Sequence, residues 1–240
     1  MERLQPEAGD VDLAAAYAYP DEGRWLRANM ISTVDGAGWH DGKTESLGSS
    51  ADKRLFSLLR GLADVVLIGA GTVRIEGYGP VKAAEHWSDI RSGRTPVPPL
   101  AIVSRALEFN PDAPIFSEAL VRTIVLTTED APDDRMAAVS KNADVIQAGV
   151  GDVDLTAAAD ALAERGHRRM LCEGGPRLLA QVAKAGLLNE LCLTVSPVYV
   201  AGDPARIMNG EKLDAPGRLR LADALAEDDF LFLRYLAADA

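Results

Sequence analysis

Residues 171–179 read LCEGGPRLL, which predicts a buried strand, a two-glycine turn and the first residues of a helix. Such a turn brings backbone N–H groups and the positive end of a helix to one point, an arrangement that suits a phosphate. A second stretch of this kind, VVLIGAGT, occupies residues 65–72. Two such turns predict a dinucleotide lying across a sheet. The alternative is that both are ordinary strand-to-helix turns of an α/β fold.

The composition is that of a soluble globular protein, because 48% of the 240 residues are hydrophobic and 25% are charged. The formal net charge of −11 argues against nucleic acid and anionic membranes as partners, since a phosphate backbone demands a basic surface. An anionic small ligand is not excluded, because it responds to the local field. The amino terminus does not resemble a signal peptide and no apolar run reaches the ~18 residues of a membrane span, so we expect a cytoplasmic protein.

The two cysteines, Cys172 and Cys192, both lie in apolar runs that resemble strands. Free cysteine is among the most buried residue types, so we expect two buried free thiols rather than a disulfide. No spacing of cysteine and histidine suits zinc, and the sequence therefore predicts no metal site.

The alternation of apolar runs with amphipathic segments predicts a mostly parallel sheet covered by helices on both faces. The predicted strands are residues 25–33, 64–68, 100–103, 123–126, 144–146, 169–172 and 190–195, and the predicted helices are residues 51–62, 133–142, 155–165 and 177–185. Two closing strands, residues 218–225 and 230–236, are joined by a tight acidic turn and should pair antiparallel. We predict one α/β domain over residues 1–240, with residues 1–20 as an irregular arm or a short helix.

Three motifs in order carry a resemblance to a known family. They are STVDG at residues 32–36, LIGAGTV at residues 67–73 and EGGP at residues 173–176. Together they resemble the reductase family of riboflavin biosynthesis, whose fold is dihydrofolate-reductase-like, and the resemblance covers roughly residues 24–236. Bifunctional members also carry a zinc deaminase domain with His-x-Glu and Pro-Cys-x-x-Cys motifs. This chain has neither motif, so it is similar to a reductase that stands alone.

The resemblance implies that the turn containing Gly69, Gly71 and Thr72 touches the cofactor, with the Thr72 hydroxyl facing a phosphate or the nicotinamide end. Glu76 matches an acidic family position near the cofactor or its ribose. The structural alternatives are a helix cap for Thr72 and a solvated charge for Glu76.

The second turn, Gly174, Gly175 and Pro176, favours a pyrophosphate, because a side chain at either glycine would block close approach of the backbone. Pro176 suits the first position of a helix, where its missing N–H costs nothing.

Ser104 and Arg105 follow the predicted strand 100–103, and in an open α/β sheet ligands lie beyond the carboxyl ends of the strands. A hydroxyl beside a guanidinium can hold a ribose 2′-phosphate, so this pair predicts NADPH rather than NADH. Val150 is a candidate for packing against the adenine. The alternative for Arg105 is a surface arginine after an ordinary strand.

Two carboxylates are candidates for proton transfer. Asp35 lies in a glycine-flanked turn after the first strand, where its carboxylate can point into a cleft, and the family places it near the sugar or the nicotinamide. The alternative is an Asx-type turn residue. Glu173 ends a buried strand, where a carboxylate is costly without hydrogen bonds, so we expect the substrate or backbone N–H groups as its partners.

Five further residues are predicted to bind the substrate: Asn29, Thr33, Lys53, Arg54 and Lys82. The resemblance places Asn29 in the substrate cleft and Thr33 in the STVDG motif. Arg54, with Lys53 beside it, matches a basic family position that would hold a phosphate, and a solvated helix face is the alternative. Lys82 stands where the bifunctional enzymes more often carry arginine, and lysine cannot reproduce a forked contact.

These residues together predict NADPH-dependent reduction of the ribosyl group of a 5-amino-6-ribosylaminopyrimidine 5′-phosphate to the ribityl form. The first alternative is a pteridine or dihydrofolate reductase with the same fold and cofactor. The second is a non-catalytic NADP-binding protein. The resemblance also implies a homodimer, for which the apolar closing strands would form the interface.

Overall fold

The computed structural model describes residues 9–238, which form nine strands and seven α-helices. The strands are β1 Trp25–Thr33, β2 Val65–Gly69, β3 Leu100–Val103, β4 Thr123–Thr127, β5 Ala143–Gln147, β6 Arg169–Cys172, β7 Glu190–Ser196, β8 Leu219–Glu227 and β9 Phe230–Ala237. The helices are α1 Leu13–Ala16, α2 Ser50–Leu62, α3 Ala70–Glu76, α4 Pro114–Ser117, α5 Asp133–Val139, α6 Leu155–Glu164 and α7 Pro176–Lys184.

Every predicted strand is present, and the largest differences concern the helices. The short helices α3 and α4 are absent from the prediction, because the glycines of one and the prolines around the other are more typical of turns. Helix α5 ends at Val139 rather than at residue 142. Of the predicted amino-terminal arm, residues 1–8 lie outside the described residues, and the remainder contains the single turn α1.

All nine strands join one sheet in the order β5-β4-β3-β2-β6-β1-β7-β9-β8. The strands from β5 to β7 in this order pair in parallel, whereas β9 pairs antiparallel with β7 and with β8. The predicted fold class is therefore confirmed. Because parallel strands share one direction, the turns that follow β1, β2, β3 and β6 all lie at the same edge of the sheet.

The sheet is covered on both faces, and neighbouring residues of one strand belong to different cores. Val66 and Ile68 of β2 pack in the core formed with α2, whereas Val65 and Leu67 pack in the core formed with α6 and α7. Full burial of such a side chain contributes about 1.5–3 kcal/mol to the free energy of unfolding. The uninterrupted apolar run of β2 follows from this two-sided burial.

An ion-pair network fixes the amino ends of β1 and β7, at the edge opposite the turns. Arg27 and Glu190 are both fully buried, with Arg27 Nε 2.9 Å from Glu190 Oε1. Arg234 Nε donates to the same oxygen at 2.7 Å, and Trp25 Nε1 donates to Oε2 at 2.8 Å. Burial would raise the pKa of Glu190, but the two arginines hold it below its ordinary value.

The two cysteines, Cys172 and Cys192, are buried and free, so that prediction is confirmed. Burial raises the pKa of the Cys172 thiol to about 12. Within residues 9–238, no helix has both the length and the apolar character that a membrane crossing requires.

Candidate active site

Two clefts lie beside each other at the carboxyl edge of the parallel strands. The larger, about 930 Å³, lies between the turns that follow β2 and β6 and the connection from β7 to β8, and we call it the glycine cleft. The smaller, about 230 Å³, lies between β1 and the amino-terminal half of α2, and we call it the asparagine cleft. They adjoin at two places. Glu173 lines the asparagine cleft and Gly175 lines the glycine cleft two positions later. In the same way, Gly38 lines the asparagine cleft and Trp39 lines the glycine cleft.

The two glycine turns meet in the glycine cleft. The N–H of Gly69 donates to the carbonyl of Gly174 at 2.8 Å, which joins the end of β2 to the turn after β6. A Cβ on Gly175 would overlap the hydroxyl of Thr72, and Gly174 has a φ of +82° that disfavours a side chain. Gly71 also lines this cleft. The structure thus brings together the two turns that the sequence predicts to act jointly.

The glycine cleft is electropositive. Pro176 is the first residue of α7, so the positive end of this nine-residue helix lies at the cleft wall. Arg74, Arg177 and Arg206 line the same cleft, and among residues 9–238 none of the three has an ion-pair partner. Asp203 is the one acidic side chain in this lining. The cleft therefore has the charge and the accessible backbone that an anionic ligand needs.

The asparagine cleft is lined by residues of β1 and by one face of α2. Asn29 of β1 lines it, and its Oδ1 is buried without a hydrogen-bond partner among the described residues. Lys53 and Phe56 line it from α2, three positions apart on the helix surface. A buried acceptor without a partner costs free energy, so a ligand that donates to Asn29 would recover that cost.

Glu173 is held by side chains at the back of the asparagine cleft. Its carboxylate is 1% exposed and accepts hydrogen bonds from Arg60 Nε at 2.6 Å and from a terminal nitrogen of Arg60 at 2.7 Å. Tyr78 Oη donates to Oε2 at 3.1 Å. The expectation of backbone N–H partners for Glu173 is wrong, whereas its contact with the substrate stays a prediction. A bidentate arginine supplies the partners instead.

The contact with Glu173 affects the pKa values of both Arg60 and Tyr78. The guanidinium of Arg60 lies 4.3 Å from the ring centroid of Phe56, and burial opposes its charge. The Glu173 carboxylate overcomes that effect and holds the pKa of Arg60 above its ordinary value. Burial is also the main cause that raises the pKa of Tyr78, with Glu173 adding to it. Arg60 therefore stays charged and Tyr78 stays protonated.

Asp35 joins two loops and lines neither cleft. One of its oxygens accepts the hydroxyl of Thr33, and the other accepts the N–H groups of Val200 at 3.1 Å and Ala201 at 2.8 Å. The Thr33 hydroxyl, and then the backbone N–H groups, hold the pKa of Asp35 below its ordinary value. Thr33 Oγ1 also accepts from the N–H of Ala37 at 2.9 Å, so both residues stabilise the turn after β1.

Ser104 and Arg105, predicted to hold the 2′-phosphate, lie outside both clefts together with Val150, the candidate for packing against the adenine. Ser104 is buried and its Oγ accepts the N–H of Leu107 at 3.1 Å. Arg105 is 67% exposed and pairs with Asp152 at 3.5 Å. Val150 is 72% exposed in the loop that Arg105 contacts. The structure thus places the three residues around one loop at the carboxyl edge of the sheet.

Glu76, predicted to lie near the cofactor, and the basic residues predicted to bind the substrate lie at separate places. Glu76 accepts from the N–H of Thr44 at 3.2 Å, and Thr44 lines the asparagine cleft. Arg54 pairs with Glu227 of β8 and lines a different groove, so it does not share a cleft with Lys53. Lys82 is exposed in the loop after α3 and lines neither cleft.

The sequence prediction missed Arg60, Tyr78 and Asp52. A signal existed for Arg60, because residues 53, 56 and 60 follow the spacing of one helix face and this face turns toward the cleft. No local pattern marks Tyr78, whose position depends on the loop after α3. Within residues 9–238, no group of three or more His, Cys, Asp or Glu side chains could hold a metal ion.

Comparison with known proteins shows which family the chain matches. The family model described as RibD C-terminal domain matches residues 24–229. A curated relative from Archaeoglobus fulgidus, a 2,5-diamino-6-ribosylamino-4(3H)-pyrimidinone 5′-phosphate reductase, is 26% identical over 207 residues, which cover 85% of this chain and 94% of that protein. A relative of the same name from Methanothermobacter thermautotrophicus is 27% identical over 82% of this chain and 87% of its own.

Solved structures give the same fold. A pyrimidine reductase-like protein from Corynebacterium diphtheriae is 28% identical, covers 89% of this chain and 92% of its own, and superposes with a TM-score of 0.80. The riboflavin biosynthesis reductase Rib7 from Saccharomyces cerevisiae is 16% identical, covers 93% of this chain and 94% of its own, and superposes with a TM-score of 0.61. The second comparison supports the shared fold alone.

Proposed function

Because the chain belongs to the RibD C-terminal domain family, we propose that it is an NADPH-dependent reductase of riboflavin biosynthesis. Its reaction converts the ribosyl group of a 5-amino-6-ribosylaminopyrimidine 5′-phosphate to the ribityl form. The observation that carries this proposal is the pair of adjoining clefts. One is electropositive and glycine-lined, and the other has an unpartnered Asn29 acceptor in its wall. A dinucleotide and a polar substrate would thus meet at the turn containing Glu173 and Gly175.

The glycine cleft fits a dinucleotide in three respects. Gly175 leaves open the space that a Cβ would take against Thr72, the amino end of α7 favours negative charge, and Arg177 adds a cation. When bound, the nicotinamide would supply hydride to the carbon of the opened sugar. We assign the 2′-phosphate to Ser104 and Arg105. The ion pair of Arg105 with Asp152 is long and exposed, so Arg105 is free to exchange it for a phosphate.

The residues of the asparagine cleft would hold the substrate. Lys53 offers an exposed ammonium to the phosphate, and Asn29 accepts a hydrogen bond from the base or the sugar. Of the two predicted carboxylates, Glu173 lines this cleft and Asp35 does not. We therefore assign proton transfer to Glu173. Glu173 would take the proton of the exocyclic nitrogen as the ring opens and pass it to the ring oxygen through Tyr78. A second proton, from water, would reach the nitrogen once the adjacent carbon is reduced.

Oxidation of NADPH in the presence of the ribosylaminopyrimidine phosphate tests the proposal. We expect turnover with this substrate and none with dihydrofolate, which separates the pyrimidine reductase from the pteridine alternative. Glu173→Gln should lower kcat, whereas Asp35→Asn should act chiefly on thermal stability. Tight binding of NADPH without turnover of either compound would contradict the proposal and support the non-catalytic alternative.

We further propose a cytoplasmic homodimer. The strand β8 is the last in the sheet order, and Leu219 and Leu221 are exposed on it, as Leu231 is on β9. An exposed apolar edge strand favours pairing with a second copy. Sedimentation of the purified chain should give twice the monomer mass, and Leu221→Lys should shift it to the monomer. The buried free thiols of Cys172 and Cys192 suit a reducing compartment.

A further inference from the structure

Asp52 is a carboxylate in the asparagine cleft that forms no ion pair among the described residues. It is half-buried in the first turn of α2, where its own N–H donates to the Ser49 hydroxyl at 3.1 Å. None of the ion pairs among residues 9–238 includes it. Burial is the main cause that raises its pKa, and a hydrogen bond with Thr194 and the charge of Lys53 act in the opposite direction.

The other carboxylates of this cleft are less suited to recognise a base. Arg60 donates to both oxygens of Glu173 and Tyr78 donates to one of them, so Glu173 cannot offer two oxygens to a pair of donors on the base. Glu45 is exposed at the rim. The buried Oδ1 of Asn29 adds a second unpartnered acceptor to the same wall. The interior of the cleft is therefore rich in acceptors, which favours a ligand edge that presents several N–H groups.

We propose that Asp52 is a specificity-determining residue that selects a 2-amino-4-oxopyrimidine over the corresponding 2,4-dioxopyrimidine. This inference rests on the proposed function, because it concerns which base the reductase accepts. The 2-amino form presents a ring N–H beside an amino group, and the two donors match the two oxygens of a carboxylate. On the edge that contains N3, the dioxo form presents a single N–H between two carbonyl oxygens, which repel a carboxylate. The second form would also leave a desolvated acceptor unpaired.

A change of Asp52 to asparagine reverses half of this pattern. The amide retains one acceptor but replaces the other with a donor. That donor conflicts with the amino group of the 2-amino base and complements a carbonyl of the dioxo base. Asp52→Asn should therefore lower kcat/KM for the 2-amino substrate and raise it for the dioxo substrate. If Asp52 had only a structural role, the substitution would change kcat/KM for both substrates by the same factor.

The experiment compares kcat/KM for the two ribosylaminopyrimidine 5′-phosphates with NADPH in the full chain. We expect the unchanged protein to prefer the 2-amino substrate by at least about tenfold, and Asp52→Asn to reduce that preference by about tenfold or more, mainly through KM. Two matched variants serve as controls. Glu45→Gln removes the exposed carboxylate of the same cleft, and Thr194→Val removes the internal partner of Asp52 without removing its charge. Both should keep the preference within about twofold.

The outcomes separate this inference from the proposed function. Equal turnover of the two bases, or a preference for the dioxo base, overturns the role of Asp52 and leaves the reductase assignment intact. An unchanged preference in a folded Asp52→Asn variant overturns it as well. Absence of turnover with either base overturns the proposed function. If Asp52→Asn does not fold, Asp52→Ser provides the same test, because it also removes the paired acceptors; a preference that persists in this variant overturns the role of Asp52.

Discussion

Replacement of Arg60 by methionine should destabilise the fold strongly, because it leaves a buried carboxylate without its cation. The Glu173 side chain is 1% exposed and the Arg60 side chain is 18% exposed, so water compensates little. Removal of one partner of a buried ion pair costs about 3–5 kcal/mol. Tyr78 still donates to Glu173 in the variant, so we expect the lower part of that range, about 3 kcal/mol. For a chain of this size, that corresponds to a decrease of roughly 6–12 °C in Tm.

The loss of stability in Arg60→Met should depend on pH, and its direction can be worked out from the charge of Glu173. A buried carboxylate that has lost its cation avoids the cost of burial by taking up a proton. The deficit of Arg60→Met relative to the unchanged protein should therefore be largest near pH 8 and should shrink toward pH 5. Arg60→Met combined with Glu173→Gln should recover at least half of the lost stability, because the unpaired charge is then absent.

Urea unfolding followed by circular dichroism at both pH values measures these differences. Lys184→Met is the matched control, because Lys184 pairs with Glu211 at the exposed surface and such pairs contribute about 0–1 kcal/mol. A deficit for Arg60→Met below that of the control, or one that grows toward pH 5, would refute the reasoning.

Three further changes test other parts of the structure. Gly175→Ala should weaken NADPH binding by about tenfold or more in calorimetry while the fold persists, because its Cβ would displace Thr72 from the glycine cleft. Lys53→Met should raise KM for the phosphorylated substrate about tenfold, whereas Arg54→Met on the other side of α2 should leave KM unchanged. Glu190 has a pKa below its ordinary value in the folded state, so its stabilisation is complete above that value and is lost as the pH falls through the lowered one. Glu190→Gln should therefore flatten the decrease of Tm below pH ~5 without changing kcat, since Glu190 lies at the opposite edge of the sheet.

The strands and the two glycine turns could be predicted because each is a local pattern. An apolar run such as VVLIG is buried on both faces of a parallel sheet, and the glycines that follow it permit a backbone that other residues resist. Because carboxyl ends of parallel strands share one edge, the meeting of the turns after β2 and β6 follows from the strand order. The residues that line the substrate cleft could not be predicted from local patterns in the same way. Lys53 and Arg54 are neighbours in sequence, yet the rotation of a helix sends only the first into the cleft.

The sequence by itself determined the alternation of strands and helices, the buried thiols and the two glycine turns, since these depend on spacing and residue type over a few positions. Only the tertiary structure decided which charges meet. Arg60 and Glu173 are separated by 113 positions and join because α2 packs across β6. The carboxylate of Asp35 turns instead to the backbone of a distant loop. A side chain's partners depend on which elements the hydrophobic cores bring together, and local sequence patterns do not contain that information.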